Sequence, residues 1–256
     1  MTSRQQRLKV IEGTSQEHQA HAGRPVAVVT GAARGIGRAL VDELKSRGYL
    51  VVAVVRNLAD VRELFMLDPQ NILPVRCDVS EASTEKVLRE FLETQTGKVD
   101  LLINNAGFGA TAYGIDGLNY KELDDLLAVH CYGPIRCVRA CLPFLRESSR
   151  AAVVNISSRF GSLEWVATGT VPCDQATYPY RIAKAAMNMF TSCLAVELRS
   201  QGIRVLAVDP GKVKTRFGPA DADTEPIEAA RAIVDLVERG SDTGLFLHAS
   251  GEKLPW

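Results

Sequence analysis

The sequence has no excess of charge, no long apolar run and no paired cysteine motif, and each shortage removes a class of function. Thirty Lys and Arg residues balance thirty Asp and Glu, a formal net charge of +0, so no nucleic acid or other polyanionic partner is expected. No stretch approaches the ~20 consecutive apolar residues that cross a bilayer, and no membrane association is expected. The N-terminus also lacks the apolar core of a secretory signal. Cys77, Cys131, Cys137, Cys141, Cys173 and Cys193 form neither a C-x-x-C pair nor a disulfide framework, which points to a reducing, cytoplasmic setting.

What remains is the composition of one globular domain: 256 residues, 46% hydrophobic and 23% charged. Residues 1–24 are polar and aperiodic and read as a disordered arm. Arg4, Arg7 and Lys9 lend the arm a faint likeness to a transit peptide, which Glu12 and Glu17 interrupt. From Pro25 to Trp256, short apolar runs alternate with helical periods. The strands are expected at Pro25–Thr30, Leu50–Val55, Ile72–Cys77, Val99–Ile103, Ala151–Ile156, Ile203–Val208 and Gly244–His248. Helices fall between them, among them one from Tyr120 to Arg146 and one from Tyr180 to Ser200. Continuous apolar strands joined by crossover helices require a parallel sheet covered on both faces. The expected fold is therefore α/β, a single Rossmann-type domain with a doubly wound, seven-stranded parallel sheet whose ligand crevice lies at the strands' carboxyl ends.

The first strand runs into Thr30-Gly31-Ala32-Ala33-Arg34-Gly35-Ile36-Gly37, and a helix follows. Glycines there let the backbone turn tightly and approach a pyrophosphate, which the free N–H groups of a helix N-terminus then hold. Strand, glycine turn and helix in the first βαβ unit point to a dinucleotide. At the end of the second strand, where an NAD site places an acid for the ribose 2′-hydroxyl, stands Arg56. With Arg34 it forms a pair of guanidinium groups suited to a 2′-phosphate, so NADP(H) is the expected cofactor. Two solvated surface arginines are the plainer alternative.

Tyr180 and Lys184 lie four residues apart on one face of a helix. A neighbouring ammonium lowers a phenol's pKa, and a bound oxidised nicotinamide lowers it further, which would let Tyr180 exchange a proton near neutral pH. Ser158, just beyond the strand ending at Ile156, is placed to hydrogen-bond a substrate oxygen. Through Thr30-Gly-Ala-Ala-Arg-Gly-Ile-Gly37, Asn104-Asn-Ala-Gly107, Ile156-Ser-Ser158, Tyr180-x-x-x-Lys184 and Pro210-Gly211, the chain resembles the short-chain dehydrogenase/reductase family from Pro25 to Trp256. Pro210-Gly-Lys-Val-Lys-Thr215 and Gly251-Glu-Lys-Leu-Pro-Trp256 look most like the sniffer-type carbonyl reductases. That resemblance implies Ser158, Tyr180 and Lys184 as the catalytic set. It implies Asp78 and Val79 at the adenine and Asn104, Asn105, Ala106 and Gly107 along the cofactor. It also implies Lys184 on the nicotinamide ribose, Val213 and Thr215 near the carboxamide, Pro210 and Gly211 at the cofactor, and Thr30 bracing the glycine turn. Read without the family, Asp78 is a helix N-cap and Asn104-Asn105 a loop end. A homodimer or homotetramer is expected, the helices around Leu126 and Met187 meeting a partner.

The chain departs from the family's pattern in His130-Cys131-Tyr132-Gly133-Pro134, where the family has an asparagine that anchors a proton-relaying water. His130 either takes over that task or is packed in a helix without one. The interval from Ser158 to Tyr180 is long, which predicts an extra loop over Thr168–Ala176. Cys131, Cys137 and Cys141 read as buried thiols rather than metal ligands, and Met187 and Met189 as core or dimer-face residues. Phe108, Arg159, Phe160, Trp165 and Phe217 are the candidates to line a substrate pocket, and Arg159 hints at an acidic group on the substrate. Together these features imply reduction of a small-molecule carbonyl by NADPH. The alternatives are a cofactor-binding sensor or scaffold without turnover, and an NAD-dependent alcohol dehydrogenase running oxidatively.

Overall fold

The computed structural model describes residues 23–111, 114–172, 174 and 177–256. The arm expected over 1–24 lies outside the described residues apart from its last two. Arg24 already belongs to the fold, donating to the carbonyls of Tyr49 (3.2 Å) and Gln70 (3.4 Å) and to Asn71 Oδ1 (2.8 Å).

Seven parallel strands form one sheet, β1 (Val26–Thr30), β2 (Leu50–Val55), β3 (Ile72–Arg76), β4 (Leu101–Asn104), β5 (Ala152–Ile156), β6 (Arg204–Asp209) and β7 (Leu245–His248). Their order is β3-β2-β1-β4-β5-β6-β7, so the chain runs to one edge, returns to the middle and builds outward to the other edge. The reversal lies between β1 and β4, where a crevice opens at the carboxyl ends. Every residue of β1, β2, β4 and β5 is buried, as expected for β-branched strands covered on both faces. Pro74 lies inside β3, which is tolerable because β3 is an edge strand with one side free of ladder bonds.

The connecting helices are α1 (Gly35–Ser46), α2 (Leu58–Leu67), α3 (Thr84–Gln95), α4 (Tyr120–Leu127), α5 (Gly133–Leu145), α6 (Leu163–Ala167), α7 (Tyr178–Leu198) and α8 (Pro226–Arg239). One apolar layer includes α1 and α8 (Leu40, Leu44, Ile233, Val234), and the opposite layer includes α3, α5 and α7 (Leu88, Leu92, Cys141, Leu194).

The helix expected without interruption from Tyr120 to Arg146 is broken. A π-helical turn, Ala128–Tyr132, separates α4 from α5, and the Gly133 N–H reaches back to the Ala128 carbonyl. Proline explains the break: Pro134 has no N–H for the carbonyl of His130 four residues earlier, and its ring crowds that group. The wider turn rotates His130 into the interior, where it is 1% exposed. Met187 is fully buried on α7, whereas Met189 stands 62% exposed on the outside of the same helix. Among the described residues no helix is long and apolar enough to cross a membrane.

Candidate active site

A cleft of about 1530 Å³ opens at the carboxyl edge of the sheet. One end is made by the glycine turn. Gly31 has φ +66°, and a Cβ on it would stand 2.8 Å from the Ala106 Cα; at Gly37 a Cβ would stand 2.1 Å from the Gly31 carbonyl oxygen. No side chain other than hydrogen fits at either position, and the bare backbone forms the floor of the cleft. The 12-residue α1 begins here with no acid in its first turn and no side-chain cap on Arg34, which leaves its N–H groups for an anion. These features fit the pyrophosphate of a dinucleotide.

Thr30 does not line the cleft. Its hydroxyl accepts from the N–H groups of Asn105 (2.9 Å) and Ala106 (3.0 Å), and Asn105 Nδ2 donates to the Thr30 carbonyl at 2.9 Å. This clamps the ends of β1 and β4 together. Asn104 is likewise structural, passing hydrogen bonds through Asn155 to Thr191 on α7, each at 2.8 Å. Asp78 turns into its own loop, accepting from the backbone and hydroxyl of Ser80, and does not cap α3, whose flanking residue is Ser83. All the other residues expected at the cofactor line the cleft, including Val79, Gly107, Pro210, Gly211, Val213 and Thr215. Arg34 and Arg56 line it too, both exposed and neither within reach of an acid among the described residues.

At the inner end stand Ser158, Tyr180, Lys184 and His130. Thr177 caps α7 by accepting from the Tyr180 N–H at 3.3 Å, which sets Tyr180 in the first turn and Lys184 one turn further along the same face. Lys184 is 4% exposed and donates to the Ile156 carbonyl at 2.7 Å, one strand end away from Ser158. Its Nζ lies 5.7 Å from the centre of the Tyr180 ring. Ser158, also buried, accepts from the Phe160 N–H at 3.3 Å.

Charge is costly in this enclosure. Burial pushes the Tyr180 phenol up to about 12, with the Ser158 hydroxyl drawing it down and the Asp209 charge raising it. Burial also pulls Lys184 down to about 7, against the opposing charge of Asp209. The sequence suggested an acidic phenol beside a permanent ammonium. In the protein alone the shifts run the other way, the phenol up and the amine down, because desolvation is the largest influence on each.

His130 is held far below its usual value of 6.5 by burial first and by Lys184 second, so the ring is neutral. Its Nε2 faces both the carbonyl of Phe108 at 2.9 Å and the N–H of Phe108 at 3.3 Å. Nδ1 is buried and has no hydrogen-bond partner among the described residues. The ring meets that of Tyr180 edge-on at 5.6 Å.

Of the pocket candidates, Phe108, Arg159, Phe160 and Phe217 line the cleft. Trp165 does not: it packs on the small core of Ala207, Phe246 and Leu254. The loop expected over Thr168–Ala176 is described only in part, and Cys173 lies outside the described residues. Cys137 and Cys141 are fully buried, and burial raises both thiols, which leaves them unreactive. Sequence reasoning missed Asp209, the last residue of β6, which is 3% exposed in the cleft wall and pairs with Arg159 at 2.7 Å. Its place beside Pro210-Gly211, at the carboxyl end of a strand, was a readable signal.

A parallel Rossmann sheet with a glycine turn at its switch point and a buried Ser, Tyr and Lys group beside it defines a nicotinamide-dependent oxidoreductase acting on small molecules. Residues 25–226 match the family described as short chain dehydrogenase, and the chain belongs to that family. The carbonyl reductase Sniffer of D. melanogaster superposes with a TM-score of 0.82 at 27% identity, covering 91% of this chain and 99% of that one. An NADPH-bound carbonyl reductase from chicken fatty liver does so with a TM-score of 0.82 at 29% identity, covering 91% and 100%. In sequence, 1,6-dihydroxycyclohexa-2,4-diene-1-carboxylate dehydrogenase of Pseudomonas putida is 30% identical over 228 residues, 86% of this chain and 79% of that protein.

Proposed function

We propose that this protein is an NADPH-dependent carbonyl reductase, with Tyr180 as its proton donor. The observation that carries the reading is the enclosure of Tyr180, Ser158 and Lys184 at the inner end of a cleft whose outer end presents Arg34 and Arg56. Two guanidinium groups without acidic partners suit a 2′-phosphate, and the absence of a carboxylate at the end of β2 disfavours a ribose 2′-hydroxyl. The NADPH held by the chicken carbonyl reductase is in line with this choice.

The dinucleotide, when bound, supplies the hydride. The remaining work falls to the chain. Ser158 and Tyr180 donate hydrogen bonds to the carbonyl oxygen and stabilise the negative charge that develops there. Tyr180 then gives its proton to that oxygen. A phenol pushed up to about 12 is fully protonated at neutral pH, as a donor must be, and an alkoxide is basic enough to take the proton. Lys184, anchored to Ile156, positions the ribose and exchanges a proton near neutrality because burial has brought it to about 7. The unpartnered Nδ1 of His130, at the back of the same enclosure, takes the place of the family's asparagine in holding a water through which Lys184 exchanges its proton.

Tyr180→Phe tests the reading. NADPH affinity should stay within about twofold, while turnover of a panel of aldehydes and ketones falls roughly 100- to 10,000-fold. Equal turnover by the variant refutes the role. Tight NADPH binding with no oxidation by any carbonyl in the wild-type protein would instead favour a sensor without turnover, a reading prompted by His130 and by the long interval from Ser158 to Tyr180.

A further inference from the structure

The Arg159 and Asp209 pair is not used by the chemistry above, yet it is built into the wall beside Ser158. Arg159 follows Ser158 directly, and its Nε donates to Asp209 Oδ2 at 2.7 Å. Asp209 is almost wholly buried at the end of β6, and its other oxygen accepts from the Gly211 N–H at 3.3 Å. Both Nη atoms of Arg159 are accessible and make no hydrogen bond to a described residue, and the side chain lines the cleft at 35% exposure.

Such a pair is poorly explained as a stability device, because apolar residues of similar volume often serve a buried site as well. It is better explained as an orienting device. A carboxylate fixed on Nε locks the plane of the guanidinium and leaves the fork of Nη N–H groups pointing elsewhere, a geometry that matches the two oxygens of another carboxylate. Of the other cations in the cleft wall, Lys212 pairs with Asp221 and Lys214 with Glu225, Arg34 and Arg56 flank the glycine turn, and the Arg216 guanidinium lies 5.7 Å from the centre of the Phe217 ring. Asp209 cancels much of the long-range field of Arg159 but leaves its directed hydrogen bonds free.

We infer that Arg159, oriented by Asp209, is a receptor for a carboxylate on the carbonyl substrate, so that the substrates of this cleft are oxo acids rather than neutral carbonyl compounds. The inference rests on the reductase reading, whose substrate class it specifies.

Two measurements test it separately from that reading. The first is kcat/KM with NADPH for 2-, 3- and 4-carboxybenzaldehyde, each against its methyl ester, so that three spacings between carbonyl and carboxylate are sampled. The best-fitting acid should exceed its ester by at least about tenfold, since a site built to hydrogen-bond a group discriminates strongly against its absence. Arg159→Gln should abolish that preference, read as the ratio of kcat/KM for acid over ester, so that any change in turnover common to both substrates cancels. Arg159→Lys keeps a cation opposite Asp209, and with it the fold, but lacks the fork and should lose most of the preference. The second is calorimetric binding of benzoate and benzamide to the purified protein, which needs no turnover. Benzoate should bind more tightly in the wild type and lose that advantage in Arg159→Gln. Esters reduced as well as acids, or a preference untouched by both variants, overturns the receptor. Benzoate selectivity that depends on Arg159 without any carbonyl reduction retains the receptor and overturns the reductase.

Discussion

The burial of Lys184 makes the stability of the protein depend on pH in a way that one substitution should erase. Unfolded, the amine titrates near 10.5; folded, burial brings it to about 7. Below pH 7 both states hold the proton and the slope is zero. Between 7 and 10.5 the unfolded chain holds a proton that the folded one lacks, so stability rises with pH at up to ~1.4 kcal/mol per pH unit. Across the separation of 3.5 between 10.5 and about 7, the ceiling is roughly 5 kcal/mol. Tyr180 works in the opposite sense at higher pH. Its value moves from 10.0 to about 12, so its contribution is present below 10 and is lost as pH climbs from there toward 12. In a chain of this size 1 kcal/mol corresponds to ~2–4 °C, so Tm should climb about 3–5 °C per unit between pH 7.5 and 9.5 before turning over. Lys184→Met removes the titrating amine. The wild-type minus variant difference, measured by calorimetry without added nucleotide, cancels every other group and should carry the whole rise. Parallel curves for the two proteins would show that Lys184 is charged in its folded setting and that the electrostatic reasoning is wrong.

Arg34→Ala with Arg56→Ala should raise the KM for NADPH at least about tenfold and leave that for NADH nearly unchanged, because hydrogen bonds to charged groups are worth ~1.5–3 kcal/mol each; steady-state kinetics with both cofactors decides this. His130 folds neutral, its value lying far below the 6.5 of an unfolded histidine, so its contribution is complete above 6.5 and is lost as pH falls from there toward the folded value. His130→Asn should therefore flatten the acid side of the Tm curve between pH 6.5 and 4.5, and an equally steep decline would count against a buried neutral ring. Gly37→Ala places a Cβ 2.1 Å from the Gly31 carbonyl and should destabilise the fold by more than ~2 kcal/mol in urea while abolishing nucleotide binding, as overpacking against rigid backbone does.

The parallel sheet was legible because strands buried on both faces leave continuous apolar runs such as Leu50–Val55, which no amphipathic helix would show. The glycine turn was legible for a similar reason, since glycine stands where any Cβ would strike backbone. The break before Gly133 left little trace: the apolar period continues through Ala128–Tyr132, and the sole warning was Pro134, which also suits the first turn of a helix. Trp165 was one of the aromatic pocket candidates, but on α6 it packs toward Phe246. Local sequence does not encode that packing. The upward shift of Tyr180 in the protein alone was not legible, because i, i+4 spacing reports proximity and says nothing of desolvation, which depends on all the elements enclosing the pair.

That desolvation has a chemical consequence. An acidic phenol would be partly ionised at neutral pH and unable to donate, whereas an enclosure that penalises every charge keeps Tyr180 protonated, His130 neutral and Lys184 near its midpoint. Under the proposed function, negative charge on a substrate oxygen is the one ionisation that such a site would favour, with the Ser158 and Tyr180 hydroxyls as donors and no protein anion other than the paired Asp209 lining the inner end among the described residues. Asp209 supplies the counterweight. Its buried charge raises both Lys184 and Tyr180, and Arg159 limits how far that influence reaches. A reductase needs this balance, since its transition state gains an anion where its resting state has none. Its proton donor must wait uncharged until that anion appears.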